Sequence, residues 1–295
     1  MELWIPITLA AAAIQTVRFM LQKQLRATSL STFGATFARF GFGAPLAVSL
    51  VPVLSWAQGM PAIAPAFVAF ALSGGLAQVL ATLCTVALFN RRNFAVGLTF
   101  IKTEVIITAL VGFVVLGDAI SLPALGVILL GVVGVLALSE VSAAGELRLL
   151  SRSTALGLAG GFLFGISGVC YRGASLEVAS LDPLMRAALT LAFVTTAQAL
   201  GMALYMRAYA QGELSRVFAK WRVTGLVGLT SMLGSLGWFT AFTLQNVAYV
   251  KALAQIELLF GAIATLLFFK EKISRLEVLG LLLVALSVLG IVLIG

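Results

Sequence analysis

Two glutamates, Glu104 and Glu257, lie inside long apolar stretches of the sequence. A carboxylate in such a stretch is costly to bury, so it marks a candidate functional site. Lys102 and Gln255 each precede one glutamate by two residues, and Lys251 shares a predicted helical face with Gln255. We expect these groups to bind a substrate or exchange a proton. The alternative is that each glutamate pairs with Arg18 or Lys102, or bonds to the backbone, and only locks two helices together.

Other polar side chains interrupt the apolar stretches at helical spacing. Gln15, Arg18 and Gln22 are three and four residues apart, which places them on one face of a helix. Arg18 lies near the middle of its stretch, where we expect it to face a cavity or to pair with a carboxylate. Gln78 and Trp238, the latter aligned with two serines, complete the predicted substrate-binding set.

Both glutamates belong to a segment that occurs twice. At a constant offset of 153, residues 93–121 correspond to residues 246–274, and each copy ends in a short acidic loop followed by another apolar stretch. The sequence therefore contains two copies of one structural element. The matching positions are Asn93 and Asn246, Ala95 and Ala248, Glu104 and Glu257, Asp118 and Glu271, Ile120 and Ile273, and Ser121 and Ser274.

Composition predicts an all-α integral membrane protein. The 295 residues are 61% hydrophobic and 10% charged, whereas a soluble domain is about a quarter charged. A hydrocarbon core about 30 Å thick needs roughly 20 apolar residues per helix, and the stretches lack the alternation typical of barrel strands. The ten predicted transmembrane helices cover residues 3–25, 32–54, 64–89, 94–116, 120–139, 153–176, 182–207, 221–246, 248–269 and 274–294.

An odd number of helices per half determines how the halves are related. With five helices in each, the second copy enters the membrane from the opposite side, which predicts two inverted repeats. We assign residues 1–140 to the first repeat, 141–152 to a cytoplasmic linker and 153–295 to the second repeat. At about 1.5 Å per residue, each glutamate is expected roughly 16 Å into a core about 30 Å thick, near the midplane.

The distribution of basic residues predicts the orientation of the chain in the bilayer. The net charge is +8, and most of the 19 basic residues lie in or beside the odd-numbered loops. Basic loops mark the cytoplasmic side, so both termini are expected outside and no nucleic-acid partner is implied. These basic residues are Arg26, Arg91, Arg92, Arg148, Arg152, Arg207, Arg216, Lys220, Arg222, Lys270, Lys272 and Arg275.

Several function classes are disfavoured by residues that the sequence lacks. The chain has no histidine, and its two cysteines lie inside predicted helices. Histidine-based catalysis, histidine-based metal sites and a disulfide framework are therefore not expected. No nucleotide-binding loop of the Walker type is present, and we expect no cofactor. A glycine ladder at Gly157, Gly161 and Gly165 predicts close packing within a monomer, with a weak homodimer as the alternative.

The chain resembles the EamA-like branch of the drug/metabolite transporter superfamily over its whole length. The resemblance rests on the five-helix halves and on each glutamate followed by an acidic loop, at residues 117–121 and 270–274. It implies a secondary carrier of the plasma membrane, in bacteria the inner membrane, that exports amino acids or other small metabolites. Val105 and Leu258 stand where family members often have proline, and the family's termini are usually cytoplasmic.

We therefore expect a secondary active transporter that moves a small zwitterionic or anionic metabolite, resembling an amino acid, by alternating access. Export and proton coupling are further expectations. Basic groups beside the carboxylates suit such a substrate better than a lipophilic cation. The resemblance implies a cavity between predicted helices one, three, four, six, eight and nine, and most of these helices carry polar side chains along one face. The alternatives are a membrane-embedded enzyme acting on a lipid-linked substrate, an exporter of lipophilic drugs, and a structural or receptor protein.

Overall fold

The computed structural model describes residues 2–27, 30–88, 100–142, 152–264 and 275–294. These residues form helices joined by short connections. In chain order the helices are α1 (Trp4–Ala27), α2 (Thr32–Gln58), α3 (Ala66–Leu88), α4 (Glu104–Leu116), α5 (Leu122–Ser142), α6 (Arg152–Leu176), α7 (Pro183–Tyr209), α8 (Glu213–Ala219), α9 (Trp221–Leu244), α10 (Val247–Leu253), α11 (Ile256–Ala264) and α12 (Arg275–Ile294).

Six of the described helices, α1, α2, α3, α6, α7 and α9, are long and apolar enough to cross a membrane. Shorter apolar helices cover Glu104–Leu116, Leu122–Leu138 and Val278–Ile294. On the outer side of α4, Leu110 and Val114 are 62% and 80% exposed, which is typical of a lipid-facing surface. The all-α membrane architecture is confirmed, whereas ten transmembrane helices and inverted repeats remain predictions.

One predicted helix is divided in the structure. Residues 248–269 were expected to form a single helix, but α10 ends at Leu253 and α11 begins at Ile256. The short helix α8 was also not predicted. Parts of the repeated segment, including Asn93, Ala95, Glu271, Ile273 and Ser274, lie outside the described residues.

Helix ends coincide with residues that favour capping. The Asp182 side chain accepts a hydrogen bond from Leu184 N at the start of α7, and Pro183 follows at the first helical position. Asn246 accepts from Ala248 N at the start of α10. Gly117 ends α4 with a φ of 68°, a left-handed conformation that glycine adopts readily. Local sequence therefore explains where these helices begin and end.

The principal helix contacts join residues from both halves of the chain. α1 packs on α9, α3 on α6, α2 on α7, and α5 on α12. In addition, α4 contacts α6 and α10, while α11 contacts α1 and α12. The helix that carries Glu104 therefore contacts two helices of the second half, and the helix that carries Glu257 contacts α1 of the first half and α12 of its own half.

Glycines of α6 allow close approach to the segment that carries Glu104. A Cβ atom at Gly161 would lie 2.8 Å from the carbonyl oxygen of Ile101, and one at Gly165 would lie 3.1 Å from the carbonyl oxygen of Glu104. Larger side chains would force these backbones apart. The glycine ladder thus makes contacts inside the chain, as expected, while its use in a homodimer stays untested.

Candidate functional site

Glu104 lies immediately after a tightened turn in its helix. The backbone N–H of Val105 donates to the carbonyl of Lys102 at 3.4 Å, and that of Ile106 donates to the carbonyl of Thr103 at 3.1 Å. Hydrogen bonds across three residues are those of a 3₁₀ turn, and such a turn inside a helix often marks a functional hinge. Glu104 is consequently the first residue of α4.

Glu257 lies after a corresponding turn. Its N–H donates to the carbonyl of Ala254 at 3.1 Å, and Leu258 N–H donates to the carbonyl of Gln255 at 2.9 Å. Neither turn contains a proline or a glycine. Each glutamate therefore occupies the first turn of a new helix, where the helix dipole stabilises a negative charge.

Glu257 is the centre of a polar network that includes α1 and α9. It accepts hydrogen bonds from Lys102 Nζ at 2.6 Å and from Gln15 Nε2 at 2.7 Å. The Gln15 Oε1 atom in turn accepts from Arg18 Nη2 and from Trp238 Nε1, both at 3.1 Å. The amide of Gln15 thus connects a carboxylate, a guanidinium group and an indole.

Glu104 has a more apolar setting. Its carboxylate accepts a hydrogen bond from Lys251 Nζ at 2.8 Å. That ammonium lies 5.7 Å from the ring centroids of Trp238 and Phe242 and 5.8 Å from that of Phe164. These distances allow cation–π attraction, so aromatic rings surround the cation of this pair.

The two ion pairs cross between the halves of the chain. Lys102 is two residues from Glu104 but binds Glu257, and Lys251 is six residues from Glu257 but binds Glu104. In each pair the lysine side chain is 12% exposed and the glutamate side chain is 8% exposed. The locking hypothesis named Arg18 or Lys102 as partners. It was right about Lys102 with Glu257 and wrong about Glu104, whose partner is Lys251.

Gln255 lies away from this network. Its side chain is fully buried, and neither of its amide atoms has a hydrogen-bond partner among the described residues. A Cβ atom at Gly131 of α5 would lie 2.5 Å from Gln255 Oε1, so the amide points toward α5. The expectation that Gln255 shares a face with Lys251 is wrong because the helix is interrupted at residues 254–255.

Gln78 also belongs to a separate group. Its Oε1 atom accepts from the Tyr171 hydroxyl at 2.8 Å and from Gln198 Nε2 at 3.0 Å. The Thr82 hydroxyl, one turn along α3, donates to the Gln78 carbonyl at 2.7 Å. The structure therefore places Gln78 in a hydrogen-bonded contact of α3, α6 and α7. A role in substrate binding stays a prediction for every candidate, including the residues around Glu257.

Arg39 of α2 was absent from the predicted site, although an arginine inside an apolar stretch is the signal that identified Arg18. It is only 4% exposed. Its Nε donates to Ser231 Oγ at 3.0 Å, its Nη1 to Thr82 Oγ1 at 3.0 Å and its Nη2 to Ser235 Oγ at 3.5 Å. The two aligned serines of α9 thus accept hydrogen bonds from a buried guanidinium group.

The second half of the chain matches a known protein family. Residues 152–293 match the model of the EamA-like transporter family. These residues belong to that family. The predicted resemblance to the drug/metabolite transporter superfamily is thereby confirmed, and family and apolar helices together indicate a membrane transporter.

The chain as a whole has a fold that occurs among solved structures. One described as "Crystal structure of protein" superposes with a TM-score of 0.69 at 14% sequence identity, covering 97% of this chain and 99% of the other. Identity this low supports the fold alone. No curated protein sequence matches the chain significantly.

A second missed feature is Arg172 of α6. Its Nε and Nη2 donate to the two carboxylate oxygens of Asp118 at 2.9 and 3.3 Å. Its Nη1 donates to the carbonyls of Phe242 at 2.7 Å and Gln245 at 3.0 Å. One side chain thus joins the loop after α4 to the end of α9. Nothing in the spacing of these residues predicts the contact.

Proposed function

We propose that this protein is a secondary active transporter that moves a small zwitterionic or anionic metabolite across the plasma membrane by alternating access. In this proposal the chain has ten transmembrane helices in two inverted repeats, residues 1–140 and 153–295, and Glu104 and Glu257 lie near the bilayer midplane. The odd-numbered loops are cytoplasmic, both termini are outside, and transport is export. The family match and the apolar helices support the transporter class.

The observation that carries the proposal is the crossing of two ion pairs at two helix breaks. Transporters with inverted repeats bind substrates and ions at interrupted helices between the repeats. Here each break presents a carboxylate, and each carboxylate is held by a lysine of the opposite half. Moving the halves relative to each other must therefore disturb both pairs.

A zwitterionic substrate is compatible with the energetics of such pairs. Removing one partner from a buried ion pair leaves the other charge uncompensated, which is strongly unfavourable. The ammonium of a zwitterion can replace a lysine at a glutamate, while its carboxylate neutralises a cationic group nearby. A glutamate released by its lysine can instead take a proton. In this proposal, that protonation couples transport to the movement of protons.

The helix contacts support the repeat arrangement. If α6, α7, α9, α10 with α11, and α12 are the five elements of the second repeat, the first element of each half packs on the third of the other. The second elements pack on each other, and so do the fifth. A two-fold exchange of the halves would leave this set of contacts unchanged.

Reagent access from both sides tests alternating access without knowledge of the substrate. Glu104→Cys and Glu257→Cys are each introduced after replacing Cys84 and Cys170 by alanine, and vesicles of both orientations receive a membrane-impermeant methanethiosulfonate. We expect labelling from either side. Leu110→Cys, on the lipid-facing side of α4, is the control and should not react.

Labelling of both positions from one side only would contradict the proposal, as would no labelling at all. An enzyme acting on lipid-linked substrates predicts access restricted to one membrane surface. A structural or receptor protein predicts access that does not switch. The described residues supply no observation that favours these alternatives or a lipophilic-drug exporter.

A further inference from the structure

Among the described residues, the charges buried around the two glutamates do not balance. Four cations of the described ranges, Arg18, Arg39, Lys102 and Lys251, accompany two carboxylates there. Each lysine is paired with one glutamate, so the two arginines account for the excess positive charge. A buried charge without a counter-ion is strongly unfavourable, which makes the pair of arginines a candidate anion site.

Neither arginine makes a salt bridge with a carboxylate among the described residues. Arg18 donates to the side-chain oxygens of Gln15 and Gln22 at 3.1 and 3.4 Å. Arg39 donates only to hydroxyl groups, as described above. Gln22, which accepts from Arg18, donates through Nε2 to the carbonyl of Ala35 at 3.3 Å, and Ala35 lies one turn before Arg39 on α2. The two guanidinium groups therefore share one buried region.

The hydrogen bonds of Arg39 show what kind of anion would fit. Its Nε and Nη2 groups form the edge of a guanidinium that binds a carboxylate through two parallel hydrogen bonds. At present this edge is occupied by Ser231 Oγ and Ser235 Oγ, two neutral oxygens one turn apart on α9. Serine hydroxyls also donate hydrogen bonds, so they can turn and donate to an incoming carboxylate.

The edge is also continuous with the proposed substrate site. Trp238 follows Ser235 by three residues, which places both on one face of α9. The indole of Trp238 donates to Gln15, and Gln15 donates to Glu257. A polar path therefore leads from Arg39 along α9 to one of the two glutamates.

We propose that Arg39, together with Ser231 and Ser235, binds the carboxylate group of the transported substrate, with Arg18 as a second positive charge. This inference deepens the proposed function and rests on it. The substrate carboxylate takes the arginine end of the polar path, and any ammonium group of the substrate takes the glutamate end.

Equilibrium binding of simple anions tests the carboxylate site. The purified full-length chain is titrated in detergent with sodium acetate, sodium succinate, sodium phosphate or sodium chloride at constant ionic strength, and the thermal unfolding midpoint is followed. Binding to the folded state raises the midpoint in proportion to site occupancy. We expect saturable stabilisation by acetate and succinate that exceeds that by chloride and phosphate.

Arg39→Lys keeps the charge but removes the planar, two-bond geometry. We expect it to weaken carboxylate binding about tenfold or more, the loss that corresponds to a hydrogen bond to a charged group. Arg172→Lys is the matched control, because Arg172 is already paired with Asp118, and its apparent Kd should stay within about twofold of wild type.

A second variant covers the case in which Arg39→Lys does not fold. Ser231→Ala with Ser235→Ala keeps the arginine and should abolish the preference for carboxylates over chloride. Equal stabilisation by chloride and carboxylates in the wild type would overturn the carboxylate site, and tighter phosphate binding would replace it with a phosphate site. Unchanged carboxylate affinity in Arg39→Lys would also overturn it.

The outcomes separate this inference from the proposed function. Anion binding requires no transport, and reagent access from both sides requires no anion. Saturable carboxylate binding in a chain whose cysteines react from one side only would reject the transporter and retain the site. Two-sided access without carboxylate binding would reject the Arg39 site alone.

Discussion

Glu104 and Glu257 have corresponding positions and different surroundings. Both lie in the first turn of a helix after a tightened turn, and both bind a lysine of the other half. Glu257 has a second side-chain donor, Gln15, which links it to Arg18 and to α9. Among the described residues, Glu104 has no side-chain donor besides Lys251. One carboxylate therefore belongs to an extended polar network, and the other to a single pair enclosed by aromatic rings.

Two glutamates at corresponding positions of the sequence repeat therefore need not contribute equally to the stability of the fold. A carboxylate with two donors retains one when the other is removed. A carboxylate with one donor becomes fully unsatisfied, and its desolvation is no longer offset. The halves of the site should consequently respond differently to equivalent mutations.

Removing the lysines should give the largest effects. Lys251→Met leaves Glu104 buried without a donor, and breaking a buried pair in this way costs about 3–5 kcal/mol. Lys102→Met should cost less, because Gln15 still donates to Glu257. Thermal unfolding midpoints in detergent micelles give the order of the two variants.

The matched control for this prediction removes both members of a pair. Lys251→Met with Glu104→Gln eliminates both charges and should recover most of the lost stability. Equal destabilisation by Lys251→Met and Lys102→Met would show that Gln15 contributes nothing to Glu257, and the proposed difference between the two regions would be wrong.

Breaking the connection at Gln15 should have an intermediate effect confined to the Glu257 region. Gln15→Leu removes one donor to Glu257 and the acceptor used by Arg18 and Trp238. An unsatisfied buried polar group costs about 1–3 kcal/mol. Val17→Leu on the exposed side of α1 is the control, and its midpoint should not change measurably.

Double variants show which of the two glutamates is affected by the loss of Gln15. Gln15→Leu combined with Lys102→Met should be destabilised by more than the sum of the single changes, because Glu257 then loses both donors. Combined with Lys251→Met, the effects should add. Additivity in both combinations would contradict a shared carboxylate.

Trp238 should show the smallest effects, because it contacts both regions with different parts of its ring system. Trp238→Phe removes the hydrogen bond to Gln15, at a cost of about 0.5–1.5 kcal/mol, and keeps an aromatic face beside Lys251. Trp238→Leu also removes the cation–π contact, worth about 0.5–1 kcal/mol more.

Measuring both Trp238 variants in the Gln15→Leu background shows which loss comes from the contact with Gln15 and which from the contact with Lys251. There, Trp238→Phe should cost less than in the wild type, since its hydrogen-bond partner is already gone. The additional loss in Trp238→Leu should be retained. If both losses vanish together, the indole acts on one region only.

Much of the helical framework follows from hydrophobic length. The predicted stretches 153–176 and 182–207 correspond closely to α6 and α7 because apolar runs of that length have few alternatives in a bilayer. The structure also brings together Gln15, Arg18, Lys102, Lys251 and Trp238, which the sequence had singled out, around the two glutamates, while their role in substrate binding stays a prediction.

The pairing within the site could not be predicted. Which lysine reaches which glutamate depends on the crossing of the two halves in space, and the offset of 153 contains no such information. The break at residues 254–255 was missed because no proline or glycine marks it, and that break turns Gln255 away from Lys251. The contacts of Arg39 were missed because its partners are neutral hydroxyls of distant helices.

The buried amide of Gln255 gives the present arrangement of the helices an energetic bias. Neither amide atom has a partner among the described residues, although the position corresponds to that of Lys102, whose side chain is satisfied by Glu257. An unsatisfied buried amide costs about 1–3 kcal/mol. An arrangement that supplied partners to Gln255 would recover that energy, which is enough to change the ratio of two conformers by about tenfold or more. Under the proposed alternating access, a residue outside both ion pairs would therefore shift the balance between conformations.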